Sequence, residues 1–345
     1  MTKFTKLIAA VALLWLVAAQ ATPLMAQQYD FKVGQLYYKI TDAAKREVAV
    51  VSEISDYPYN NNKPTGAITI PATVVNGGNT YSVTSVGVGA FYRCTELAAI
   101  NIPNSVTSIG GGAFYECKGL ISINIPSGVT SIEAYTFEKC SGLTSIDIPS
   151  GVTKIEKGTF SGCEGLKSIN IPSGVTTIGG FAFEGCSGLT SINIPSGVTE
   201  IEKGTFSGCK GLTSINIPSG VTSIGNSAFY DCSGLTSINL PSALDSIGSK
   251  KFNSYDKGVF ENCTGLTSIN IPSGVTSIGN SAFSGCTGLT SINIPSGITK
   301  IEAGTFSGCT GLTSINIPSG ITKIEAGTFS GCTGLTSINI PSGIT

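Results

Sequence analysis

The chain has 345 residues, only 12% of them charged, with 20 basic against 21 acidic side chains for a net charge of −1, and it contains no histidine. So sparse and balanced a charge set leaves no basic footprint for nucleic acid or for an anionic membrane surface. The missing histidine removes Ser-His and Cys-His nucleophilic pairs together with histidine metal sites.

Residues 1–26 read as a secretory signal. Lys3 and Lys6 precede an apolar run from Leu7 to Ala19, and small residues follow at Ala19-Gln20-Ala21 and at Ala26. Cleavage after Ala26 leaves Gln27 as the new terminus and takes the net charge to −3; cleavage after Ala21 is the second option. An uncleaved anchor is disfavoured, because the run of 13 residues falls short of the roughly 20 that a spanning helix needs. The mature chain is therefore expected outside the cell or on its surface, with no transmembrane segment.

Residues 27–65 are expected to form an N-terminal hairpin cap and loop. Apolar and polar residues alternate over Phe31 to Ile40 and over Arg46 to Ile54, around the turn-like Thr41-Asp42-Ala43-Ala44. The stretch from Tyr57 to Pro64 then reads as a loop. A divergent first coil runs from Gly66 to Cys94, with nine extra residues around Asn76-Gly77-Gly78-Asn79.

From there one unit dominates. Cysteines at 94, 117, 140, 163, 186, 209, 232, 263, 286, 309 and 332 are 23 residues apart except for one interval of 31, and the prolines from Pro103 to Pro341 keep the same spacing and the same slip. A fixed period of this size marks a repeat solenoid. In the unit from Gly288 to Thr310, Leu289, Ile292 and Ile294 point inward while Ser291 and Asn293 alternate outward, which is strand periodicity. Pro295 has no N–H for a ladder and ends the strand. Ser296-Gly297 turns the chain, and Ile298 and Ile301 return to the interior in a second extended segment. Thr305, Phe306 and Cys309 are spaced for the inner face of one helical turn.

The expected fold over residues 66–345 is thus a β-rich repeat solenoid of 23-residue coils, each with two short strands and one helical turn. A lone coil has no partner for its inward face, so stability must come from stacking. Residues 287–309 and 310–332 are identical, and a copied coil is a poor place for a unique catalytic constellation. The last coil stops in mid-repeat at Thr345, which suggests a longer natural chain.

The unit Leu-x-x-Ile-x-Ile-Pro-x-x-Val/Ile-x-x-Ile-x-x-x-Ala/Thr-Phe-x-x-Cys resembles the BspA-like class of leucine-rich repeats, found on surface proteins of Bacteroides-group bacteria and in some mucosal protists. The stretch Leu36-Tyr37-Tyr38-Lys39-Ile40, followed by Tyr81 to Gly87, is similar to the cap of such proteins. The resemblance implies a secreted or surface-attached, adhesin-like protein, some of whose relatives bind host matrix proteins such as fibronectin and fibrinogen. A recognisable C-terminal anchoring or sorting domain, present in fuller members, is missing from this sequence.

Four groups of residues qualify as candidate sites. Glu156, Glu202, Glu302 and Glu325 share one repeat position, either as a solvated charged edge or as paired acids for glycoside hydrolysis. The cysteines lack any close Cys-x-x-Cys pair for a metal. An exported protein favours disulfides, but stacked Cβ atoms lie near 5 Å rather than the roughly 3.8 Å that a bridge prefers, so buried reduced thiols filling apolar space are expected. An outward ladder of Asn101, Asn124, Asp147, Asn170, Asn193, Asn216, Asn239, Asn270, Asn293, Asn316 and Asn339 makes a broad flat face. Either its amides bond one another and keep the sheet soluble, or it holds an extended protein or glycan.

The 31-residue interval adds eight residues within Ser249 to Lys257. It offers Lys250, Lys251, Phe252, Tyr255 and Lys257 as an exposed patch, either a tolerated insertion or a binding loop. The resulting expectation is a non-enzymatic, cofactor-free interaction protein for extracellular protein or glycan, with a structural spacer as the alternative and a carboxylate glycosidase as the remote one.

Overall fold

A computed structural model describes residues 28–54, 63–248, 253 and 255–344. The expected signal at 1–26, most of the loop from Tyr57, and Lys250, Lys251 and Phe252 of the insertion lie outside the described residues.

The N-terminal strands are β1 (Phe31–Val33), β2 (Leu36–Asp42) and β3 (Glu47–Val51), paired antiparallel in that order. The alternating stretch from Phe31 to Ile40 is two strands rather than one, because Gly34 takes a positive φ of 59° and folds the chain back. Tyr37 and Tyr38 of β2 are buried, with Tyr38 stacked on Phe31 at 5.4 Å. Next come β4 (Gly66–Thr69), β5 (Thr73–Asn76) and β6 (Asn79–Val86). The extra residues of the first coil form the β5–β6 hairpin, closed by Gly77 and Gly78, both at positive φ. β3 runs parallel to β6, so the N-terminal strands continue directly into one of the ladders of the stack.

Two parallel ladders climb the repeats. One starts with β4 and β7 (Leu97–Asn101) and continues through Ser122–Asn124 and Ser145–Asp147. The other passes from β6 to β8 (Ser108–Ile109) and on through Ser131–Ile132. Register steps by one unit at a time, Ile123 facing Ile146 and Ile201 facing Ile224. Across the insertion Ile247 still faces Ile278, so the added residues leave the stack in register. The solenoid has about ten turns of about 23 residues.

The eight inward positions of the repeat are all buried in the unit from Leu289 to Cys309. Phe91 to Phe329 form a column of stacked rings whose centroids lie 5.3 to 5.8 Å apart. Each strand ends as expected: Pro295 accepts from Ile298 N–H at 3.1 Å, so the residue that stops the ladder also opens the turn.

The third side of the coil is not a helical turn. Gly158 and Gly162 both adopt left-handed φ, at 61° and 71°, and the same two positions are left-handed in most coils, as at Tyr135 and Lys139. An α-helix tolerates neither. Alternate N–H groups turn along the solenoid axis instead. Those of Gly158, Phe160 and Gly162 donate to Gly180, Ala182 and Glu184 of the next coil, while those of Thr159, Ser161 and Cys163 close turns three residues back. This side is a ladder of consecutive turns. Every N–H from Gly158 to Cys163 is bonded, which a single isolated helical turn cannot achieve.

A second glycine position sets how closely the coils approach. A Cβ on Gly165 would lie 2.5 Å from the Ser141 carbonyl oxygen, to which its own N–H donates at 3.0 Å. The equivalent residue is glycine in every later coil, and Glu96 occupies it only in the first.

Candidate interaction surfaces

The outward ladder lies where the strand alternation places it. Asn124, Asp147, Asn170, Asn193, Asn216, Asn239, Asn270, Asn293 and Asn316 are all exposed. Asn101 faces Asn124, Asp147 faces Asn170, and Asn193 faces Asn216 in parallel register. Among the described residues none of these side-chain amides bonds its neighbour, so their donors and acceptors remain open to solvent or ligand. Between this row and the Pro-Ser turns runs a groove of about 770 Å³, walled by Asn170, Asn193, Asn216 and Asn239 on one side and by Ser173, Ser196 and Ser219 on the other. Its surface is polar and repetitive, suited to an extended ligand that meets the same groups at each coil.

The insertion is anchored rather than loose where it is described. The Asp256 side chain is only 4% exposed; it pairs with Lys203 and accepts from Asn226 Nδ2 at 3.0 Å and from the Asn253 N–H at 3.2 Å. Burial opposes ionisation of Asp256, but the Lys203 ammonium and these two donors outweigh it and hold the carboxyl below its ordinary value. The residues beyond the anchor project outward. Tyr255 is 88% exposed, and the Lys257 ammonium lies 6.0 Å from the centre of the Tyr230 ring. The structure thus leaves Tyr255 and Lys257 on the turn-ladder side, away from the asparagine face.

Three of the four glutamates are engaged by donors. Glu202 accepts from the Gly180 N–H at 2.7 Å. Glu302 and Glu325 share Lys300, each at 2.8 Å, and Lys323 holds Glu325 as well. Hydrogen bonds from Lys300 and Lys323 lower the Glu325 carboxyl to about 2, the wrong direction for a general acid at neutral pH.

All eleven cysteines are free, and all but Cys332 are fully buried. Filling apolar space is half of their role. From Cys117 onward each thiol also donates to the phenylalanine carbonyl 26 residues back (34 across the insertion), as Cys163 does to Phe137 at 3.1 Å. That carbonyl already receives the Cys140 N–H, so the thiol satisfies its second lone pair. Burial pushes the thiols up, to about 12 for Cys186 and Cys232.

A further groove, of about 880 Å³, went unread in the sequence. It lies on the turn-ladder side of the first coils and is lined by Tyr92, Tyr115, Tyr135, Val88, Glu133 and Glu138, with Gln28 and Ser52 at its N-terminal edge. Tyr92 and Tyr115 occupy one repeat position and stack with centroids 4.6 Å apart. Beside them Arg93, Glu116 and Lys139 alternate in sign on successive coils, with Arg93–Glu116 at 2.8 Å and Lys139–Glu116 at 3.6 Å. The signal was present in the sequence. Tyr92, Tyr115 and Tyr135 depart from the Ser and Gly that the later, uniform coils carry at those positions.

The chain matches the family described as BspA type leucine rich repeat region, in six copies over residues 52–189, 153–257 and 253–345. Among solved structures it is similar to a leucine-rich repeat protein from Bacteroides ovatus, with 30% identity over 92% of this chain and 90% of that one and a TM-score of 0.73. A leucine rich cell surface protein from Faecalibacterium prausnitzii shares 31% identity over 90% and 94% of the two chains, with a TM-score of 0.59. A leucine-rich repeat protein from Eubacterium ventriosum shares 26% over 90% of each, with a TM-score of 0.58. No curated protein matches. Among the described residues no helix is long and apolar enough to cross a membrane.

Proposed function

The chain belongs to the BspA-type leucine-rich repeat family, a family of interaction surfaces, and on that premise we propose that it is a non-enzymatic protein of the cell exterior that holds extracellular protein or glycan along its asparagine face. The observation that carries this reading is the row of exposed, mutually unbonded side chains from Asn124 to Asn316, an amide donor and acceptor at every coil but one, where Asp147 supplies a carboxylate. Many weak, equivalent contacts on a rigid array sum to useful avidity without any deep pocket. Fibronectin and fibrinogen are the first partners to try, because relatives of this repeat class bind them.

A structural spacer is the second reading, favoured by the identical coils at 287–309 and 310–332. Passing the full chain over immobilised fibronectin, fibrinogen, mucin and a glycan array separates the two. Saturable binding to at least one surface supports the interaction role; failure to saturate any of them supports the spacer.

A further inference from the structure

The groove at the N-terminal end of the turn-ladder side differs in chemistry from the asparagine face. Its walls offer the π faces of three tyrosines and the carboxylates of Glu133 and Glu138, and no lysine or arginine lines it. In its floor the Gly89 N–H bonds Gly111 and the Gly112 N–H bonds Ala134. Glu133 receives the Ser131 hydroxyl at 2.5 Å, and among the described residues no base lies within ion-pairing distance of it. Of the neighbouring bases, Arg93 pairs with Glu116, Lys139 with both Glu116 and Glu138, the latter at 4.0 Å, and Lys157 lies 5.9 Å from the centre of the Tyr135 ring, which leaves Glu133 as the unpaired acid among the described residues of the groove. The carboxylate and ring faces of such a lining favour positive charge. The protein's own side chains show that the rings take cations: the Arg93 guanidinium lies 5.3 Å from the centre of Tyr92, and the Lys139 ammonium 5.1 Å from that of Tyr115.

We propose that this groove docks an extended, arginine- or lysine-bearing segment of a partner protein, with the cation on the Glu133 carboxylate and the tyrosine rings and the aliphatic stem against Val88. Burial raises the Glu138 carboxyl, with Lys139 opposing, so a cation arriving beside it finds an acid whose ionisation it favours. The site is separate from the asparagine face and stands or falls independently of it.

Fluorescence anisotropy with the full chain tests the assignment. The probes are a labelled Gly-Ser decapeptide bearing two arginines and the same peptide with citrulline, an uncharged isostere. Binding of the arginine peptide is expected to exceed that of the citrulline peptide by about tenfold, to fall by about tenfold in Glu133→Gln, and to weaken with salt. Glu133 is exposed, so this variant keeps the fold; Tyr135→Leu is expected to weaken the same peptide without altering its salt dependence. Equal affinity for the two peptides, no binding of either, an unchanged Glu133→Gln variant, or displacement of the arginine peptide by a neutral hexasaccharide would each overturn the proposal.

Discussion

The Cys209 thiol donates to the carbonyl oxygen of Phe183, 3.1 Å away in the preceding coil, and the Cys186 N–H donates to that same oxygen at 3.2 Å. One buried acceptor thus ties two coils together. Cys209→Ala removes the thiol donor and leaves a small void, and is expected to cost about 1–2 kcal/mol in urea unfolding. A neutral substitution would show that the sulfur column only fills space.

The same burial predicts sensitivity to alkali. An exposed thiol in the unfolded chain ionises near its ordinary value of 9.0, whereas Cys140, Cys186 and Cys232 in the fold are pushed up to about 12. The folded state therefore holds more protons between these values. The thiols' contribution to stability is complete below pH 9 and is lost as pH rises towards 12. Thermal melts over this window should fall steeply with pH, and iodoacetamide at pH 8 without denaturant should label the half-exposed Cys332 before any other cysteine.

Gly165→Ala tests the close approach of coils. The new methyl would meet the carbonyl oxygens of Ser141 and Leu143 at 2.5 and 3.1 Å, both of them backbone atoms that cannot swing aside. A loss of about 1–3 kcal/mol is expected from such overpacking. Glu96→Ala, at the equivalent position of the first coil, should be tolerated, and circular dichroism melts of the two variants compare them directly.

Asp256→Ala should release the insertion. It leaves the Lys203 ammonium and the Asn226 amide without their shared partner, at a cost of about 1–3 kcal/mol. Limited trypsin digestion should cut after Lys257 faster than in the parent chain. Because the Asp256 carboxyl is held below its ordinary value of 3.8, the stabilisation it supplies is present above that pH and fades as pH falls through it.

Particular residues show how much of this was legible beforehand. Leu289, Ile292, Ile298 and Phe306 announce their burial through spacing alone, because inward positions repeat at a fixed period. The third side was misassigned because Thr305, Phe306 and Cys309 face inward equally well from a helical turn or from consecutive turns. The left-handed pair at Gly304 and Gly308 decides between them, and a glycine four residues after another was the available cue. The tyrosine groove escaped notice for a different reason. A repeat read through its consensus hides residues that depart from it, and Tyr92, Tyr115 and Tyr135 come together only when the coils stack. The anchoring role of Asp256 was invisible, since Lys203 lies more than fifty residues away in sequence.

Surface plasmon resonance over immobilised fibronectin and fibrinogen, comparing the full chain with Asn193→Arg/Asn216→Arg, bears most directly on the asparagine face as the binding surface. Both side chains are exposed and neighbour each other along one wall of the groove, so the like charges should cost at most about 1 kcal/mol and leave the double variant folded. Saturable binding by the parent, weakened at least about tenfold in the variant, is the predicted result. Equal binding by the two proteins, or no binding by either, would contradict it.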